Sequence, residues 1–185
     1  METKTLRRDA NQVIIPSFAH VSGDAEKAEA IAKWVLTEIK EENWEPDLYA
    51  TKFGFRTPRE TLTERTRGFM APCLDSSMAA NIIFQNEGFD TTAVVDVVHI
   101  ASENRNQLHT ALEVTKSGKT WHFGVAPGRK GYLMGGKYKN PAVEGWTSLG
   151  HPLKFEGRRV GLDTKPFQAF FGITTMGELG TSIRM

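Results

Sequence analysis

The sequence predicts an α+β domain in which helices from the amino-terminal half pack on an antiparallel sheet supplied by the second half. Three observations carry this. Apolar residues recur at helical spacing from Asp24 to about Lys40 and again from Leu74 to Asn86. From Thr91 to Ile100 the pattern switches to a nearly continuous run of β-branched residues, with Val94, Val95, Val97 and Val98 suggesting burial on both faces. Leu108 to Thr115 and Thr120 to Val125 then flank Lys116-Ser117-Gly118-Lys119, which reads as a hairpin turn.

In chain order, Met1 to Gln12 is a polar arm, and Val13-Ile14-Ile15-Pro16 reads as a short edge strand. Ser22-Gly23-Asp24 supplies capping residues for an amphipathic helix with Ala28, Ile31, Ala32, Val35, Leu36 and Ile39 on one side. Trp44 to Arg59 is irregular and rich in turn formers, and Thr57-Pro58-Arg59-Glu60 opens a short helix leading towards Arg67-Gly68. The helix after Pro72 runs until Gly88 stops it. Ala101 to Gln107 reads as a polar loop, and Pro127 to Pro141 as a glycine-rich basic surface loop placed to cover an active site or select an acidic substrate. Gly135-Gly136-Lys137 lacks the following Ser or Thr and the strand-to-helix frame of a phosphate cradle. Arg158 to Leu162 and Phe167 to Thr175 are further strand candidates, and no linker or repeat divides residues 1–185 into more than one domain.

With 23 basic and 22 acidic side chains the formal charge is +1, which gives no electrostatic case for nucleic acid or a membrane surface as partner. A single cysteine forms no internal disulfide, and no apolar run has signal-peptide or membrane-span length, so the expectation is a cytoplasmic protein. That cysteine is also the chemical centre of the sequence. Pro72 restricts Ala71 to extended geometry and places Cys73 at a helix N-terminus, where unpaired N–H groups and the helix dipole favour thiolate. The alternative is an inert thiol packed as a small hydrophobe.

A thiol nucleophile needs a base, and among the five histidines His109 is best placed, opening the first hairpin strand after a polar loop. His20 and His151 read as solvated surface residues, His99 as a core histidine, and His122 as an orienting group. A metal site from Cys73, His109 and His122 matches no compact ligand spacing, so neither metal nor cofactor is expected.

Thr61-Leu62-x-x-Arg65-x-x-Gly68, Cys73-x-Asp75 at a helix start, Gly88-Phe89, a valine-rich strand, His109-x-x-x-Glu113-Val114 and Trp121 stand in an order that resembles the transglutaminase-like core of the papain-like thiol enzymes, over about residues 24–125. The resemblance implies a papain/transglutaminase-like fold, Cys73 as nucleophile and His109 as general base and acid. It implies supporting roles for Asp75, Glu113 and Trp121. Two departures stand out. Val125 occupies the place where the family usually carries an aspartate, leaving Asp163 as the candidate third member, with Asn140 and His122 as alternatives. Ala71-Pro72 replaces the glycine usually found two residues before the nucleophile; the Cys73 N–H is the expected first oxyanion donor, and the sequence names no second.

The expected function is therefore thiol-dependent acyl transfer or hydrolysis of an amide or peptide bond through a thioester, as a cysteine peptidase or amidase acting on a peptide or amide substrate. Two alternatives share the scaffold. One is an arylamine acetyltransferase-like acyltransferase, and the other is a catalytically inactive binding or structural module.

Overall fold

Among the described residues, α-helices packed on one another cover one face of an antiparallel sheet. The structure is a computed structural model that describes residues 3–5, 13–42, 57–68, 72–126, 130–139, 145–149 and 152–156. Helix α1 spans Asp24–Glu38 and buries Ala28, Ile31, Ala32 and Val35, with Asp24 and Glu26 in the first turn where the dipole favours acids. Helix α2, Pro58–Glu64, opens with a capping box: Glu60 N–H donates to Thr57 Oγ1 at 3.2 Å and Thr57 N–H donates to Glu60 Oε2 at 2.7 Å.

Helix α3, Pro72–Asn86, is buried from Cys73 through Phe84, so its environment is protein on every side. Its end is a Schellman motif. Phe89 N–H returns to Phe84 C=O at 3.0 Å and Gly88 N–H to Gln85 C=O at 3.1 Å, with Gly88 at φ 80° and the Phe84 and Phe89 rings packed edge to face at 5.2 Å.

The large sheet contains β5 (Asp90–Ile100), β6 (Arg105–Lys116), β7 (Lys119–Val125), β8 (Gly131–Gly135), β9 (Trp146–Ser148) and β10 (Leu153–Glu156). Its order is β10-β5-β6-β7-β8, and β9 also pairs with β5, so the outer edge of β5 is covered in two pieces. All of its pairings are antiparallel. The β6–β7 turn has Ser117 at φ 50° and Gly118 at φ 74°, the two positive angles of a type I′ hairpin. Two small ladders lie outside this sheet: β1 (Thr3–Thr5) with β2 (Ile14–Pro16), and β3 (Lys40–Glu42) with β4 (Thr66–Gly68) in parallel.

Strand alternation divides the sheet into two faces. Ala93, Val95, Leu112, Val114, Trp121 and Phe123 join α1 and α3 in the main core. Asp96, His109, Glu113 and His122 alternate with them and point the other way.

The α+β architecture matches the sequence expectation, and the helix bounds differ from it only at their ends. Three local expectations are corrected. Arg105 to Gln107 belongs to β6 rather than a loop, because Asn104 at φ 45° turns the chain directly back onto β5. His109 is therefore inside a strand rather than at its start. Gly131 to Gly135 is strand β8, not loop; Gly131 is needed there because a Cβ would lie 2.0 Å from Leu36 Cδ2 of α1. His99 is only half buried and meets Asn106 on the neighbouring strand, Nδ1 to Oδ1 at 3.0 Å, instead of a core partner. The strands expected at Arg158 to Leu162 and Phe167 to Thr175, and most of Trp44 to Arg59, lie outside the described residues. Among the described residues no helix is long and apolar enough to cross a membrane.

Ile83 is fully buried between α3 and the sheet. Replacing it with alanine should cost about 2–5 kcal/mol in urea unfolding, because the packed surroundings relax only partly around the cavity.

Candidate active site

The site forms where the sheet divides. Strands β6 and β7 pair from Lys116 and Lys119 as far as Ala111 and Gly124, after which β7 follows β8 through the Val125–Gly131 pair. Thr110, the next residue on β6, turns its peptide towards the first turns of α3 instead. Its C=O accepts from Ser77 Oγ at a long 3.5 Å, and its N–H points at the Cys73 sulfur. The sulfur thus lies against the peptide of the residue that follows His109.

The electrostatics of that thiol differ from the sequence expectation. Burial of the sulfur pushes its pKa above the ordinary value and outweighs the N–H groups of Thr110, Leu74 and Cys73 that favour thiolate; the Asp75 charge adds to the rise. A helix N-terminus supplies about 0.3–1 kcal/mol to a nearby anion, whereas burying an unpaired charge costs several times that. Cys73 is therefore a thiol at neutral pH.

His109 is 1% exposed. Its Nε2 meets the Tyr132 hydroxyl at 2.8 Å, a contact that occupies that nitrogen in either tautomer. The Trp146 ring packs edge-on against the imidazole, with centroids 5.0 Å apart. Desolvation lowers the His109 pKa to about 3, so the imidazole is neutral. Tyr132 can reach it because Gly124 leaves room: a Cβ there would lie 2.5 Å from the phenol oxygen.

Asp96 stands directly opposite His109 across the β5–β6 ladder. It is 3% exposed, and its Oδ2 accepts from Ser148 Oγ at 2.8 Å. Burial first, and then neighbouring charge that includes the Asp96 carboxylate and a negative Cys73, pushes the phenols of Tyr132 and Tyr138 well above their ordinary range. Sulfur, imidazole, carboxylate and two phenols thus share one neighbourhood around the division of the sheet.

The chain matches no family model, no curated protein and no solved structure. The chemistry of the site therefore rests on this geometry.

Of the residues expected from sequence, Cys73 and His109 both come to the middle of β6, the sulfur against the Thr110 peptide. The sulfur's polar partners are backbone N–H groups, however, and the imidazole's is Tyr132. Asp163 and Asn140 lie outside the described residues. His122 does not orient His109. It is bonded to Glu113, Nε2 to Oε2 at 2.7 Å, on a residue four positions further along β6, or about 13 Å at strand rise. Val125 ends β7 as a buried apolar residue. Among the described residues no group of three or more His, Cys, Asp or Glu side chains is placed to hold a metal ion.

Asp96, Tyr132 and Trp146 were missed. Asp96 carried a readable signal, an acid interrupting Val94-Val95 and Val97-Val98 in a strand otherwise suited to full burial. Tyr132 and Trp146 carried none, because only the sheet order brings them to His109.

A histidine buried neutral contributes stability that is fully present above its unfolded pKa and is lost as pH falls from there towards the folded value. For His109 that window runs from 6.5 down to about 3. Between pH 6.5 and 5, His109→Gln should flatten the pH dependence of unfolding free energy, removing up to about 1.4 kcal/mol per pH unit from the wild-type slope. Chemical denaturation at a series of pH values measures it.

Proposed function

We propose that the chain is a thiol enzyme on a papain/transglutaminase-like scaffold, acting as a peptidase or amidase that breaks an amide or peptide bond through a thioester on Cys73. The observation that carries this reading is the meeting of the Cys73 sulfur with the Thr110 peptide, one residue from His109, while Asp96 faces His109 across the ladder. Because the thiol is protonated and the imidazole neutral, the ion pair common in thiol enzymes is not the starting state. General-base catalysis fits the protonation states instead.

In this mechanism His109 takes the thiol proton as sulfur bonds to the carbonyl carbon. The same proton passes to the leaving amine as the C–N bond breaks. Water, activated by the neutral imidazole, then adds to the thioester and expels the thiol. Asp96 takes the orienting role that the sequence assigned to Asp163, stabilising the imidazolium formed in each step. For any of this Tyr132 has to leave Nε2, so substrate entry and displacement of the phenol are one event.

A second reading, an inactive binding module on the same scaffold, is favoured by the same contact: Nε2 occupied by Tyr132, the ring packed against Trp146 and the sulfur buried.

The two readings separate in an acylation experiment with p-nitrophenyl acetate, following nitrophenol release and the acetyl group on Cys73 by mass spectrometry. An enzyme should acylate at Cys73, and His109→Ala should slow this by about 10²–10⁴-fold, the usual worth of a positioned general base. Equal rates in wild type and His109→Ala, tracking global unfolding, would leave the inactive module. Iodoacetamide labelling gives an independent readout. Its rate should keep climbing above pH 9, as the raised thiol pKa requires, and Tyr132→Phe should accelerate it at fixed pH by releasing Nε2.

A further inference from the structure

The far end of the β6–β7 hairpin holds a cleft that this chemistry does not use, with a volume of about 860 Å³, bordered by Lys119, Lys137, Lys154 and Glu113 and walled by Trp121 and Tyr138. That volume is in the range of small-molecule sites. Glu113 is already engaged. Although burial opposes its charge, hydrogen bonds from Lys154 and from His122 Nε2 hold its carboxyl below the usual range. His122 is in turn fixed by the Tyr138 ring, edge-on at 5.2 Å. One carboxylate and one ammonium therefore answer each other, and the cleft retains two cations.

Both belong to the same end of the β7–β8 ladder. Trp121 pairs with Gly135 and Gly136 N–H donates to Thr120 C=O at 2.9 Å, and just beyond these contacts Lys119 and Lys137 line the one cleft. Both are exposed, and among the described residues neither has an ion-pair partner. Two cations lining one cleft favour a ligand of opposite sign between them. Gly118 and Gly136, at φ 74° and 86°, have open space where side chains would stand, which keeps the mouth of the cleft clear.

We propose that this cleft binds a small aromatic anion, its phosphate or carboxylate held by Lys119 and Lys137 and its ring lying against Trp121. The Gly135-Gly136-Lys137 stretch then contributes a lysine held at a strand end, a different device from a glycine loop at a helix N-terminus. The site is independent of Cys73.

Pyridoxal 5′-phosphate tests it, since its aldehyde condenses with a nearby amine, losing water, and borohydride reduces the imine to a stable secondary amine that peptide mapping locates. At limiting reagent the label should concentrate on Lys119 and Lys137, and phenyl phosphate should protect both while phenol does not. Benzoate protecting equally well would assign a carboxylate ligand; protection by phenyl phosphate alone would assign a phosphate. Phenyl phosphate should also raise the melting temperature of the wild type. In Lys119→Ala and Lys137→Ala, both at exposed positions, its affinity should fall by about tenfold or more, with the fold retained. Label spread evenly over surface lysines with no protection, or an undiminished melting shift in both variants, would overturn the proposal.

Discussion

The division of the sheet at Thr110 is the constraint on which the candidate site depends. A backbone N–H and C=O inside a sheet have to be answered, and once β7 turns away to follow β8 the peptide of Thr110 has no strand beside it on that side. Helix α3 answers it with Ser77 and with the Cys73 sulfur. The satisfaction of one peptide thereby fixes how the helix N-terminus meets the sheet and sets the thiol against the peptide that follows His109. Had β6 and β7 stayed paired, the sulfur would face a closed ladder.

Around that division the far face of the sheet mixes polar side chains with a second, small apolar cluster of Val98, Ile100, Ala126 and Trp146, whereas the near face is mainly apolar. Asp96, His109, Glu113 and His122 are all largely buried, yet each is matched to a partner: Ser148, Tyr132, Lys154 and Glu113 respectively. Buried polar groups of this kind are costly unless their hydrogen bonds are made, so their presence makes the face exacting about sheet order and register. Two stretches of β6 carry different chemistry. Midway along it the neutral imidazole meets a phenol, and the thiol lies against the next peptide. Nearer its end a carboxylate is tied to an ammonium, beside a cleft lined by two further lysines.

How much of this was readable can be argued residue by residue. The capping box at Thr57 and Glu60, the Gly88 stop, and the Ser117-Gly118 turn each depend on chain neighbours, so local pattern sufficed. Strand β8 escaped because Gly131 and Gly135 dilute its β-propensity, and the reason for Gly131 is a contact with Leu36, far away in sequence. The raised thiol of Cys73 escaped for a related cause. A helix N-terminus is visible in sequence and favours thiolate, while the burial that overrides it depends on everything packed around the sulfur.

The sequence by itself determined the α+β class, the order and approximate limits of the helices and the central hairpin, and the pairing of a lone cysteine with a strand histidine as the place to look for chemistry. These follow from periodicities of a few residues and from the scarcity of reactive side chains. Only the tertiary structure decided that Asp96 faces His109 and that Tyr132 holds its Nε2. Each is a contact set by strand register, and register is fixed by which faces are buried across the whole sheet rather than by any stretch of neighbouring residues.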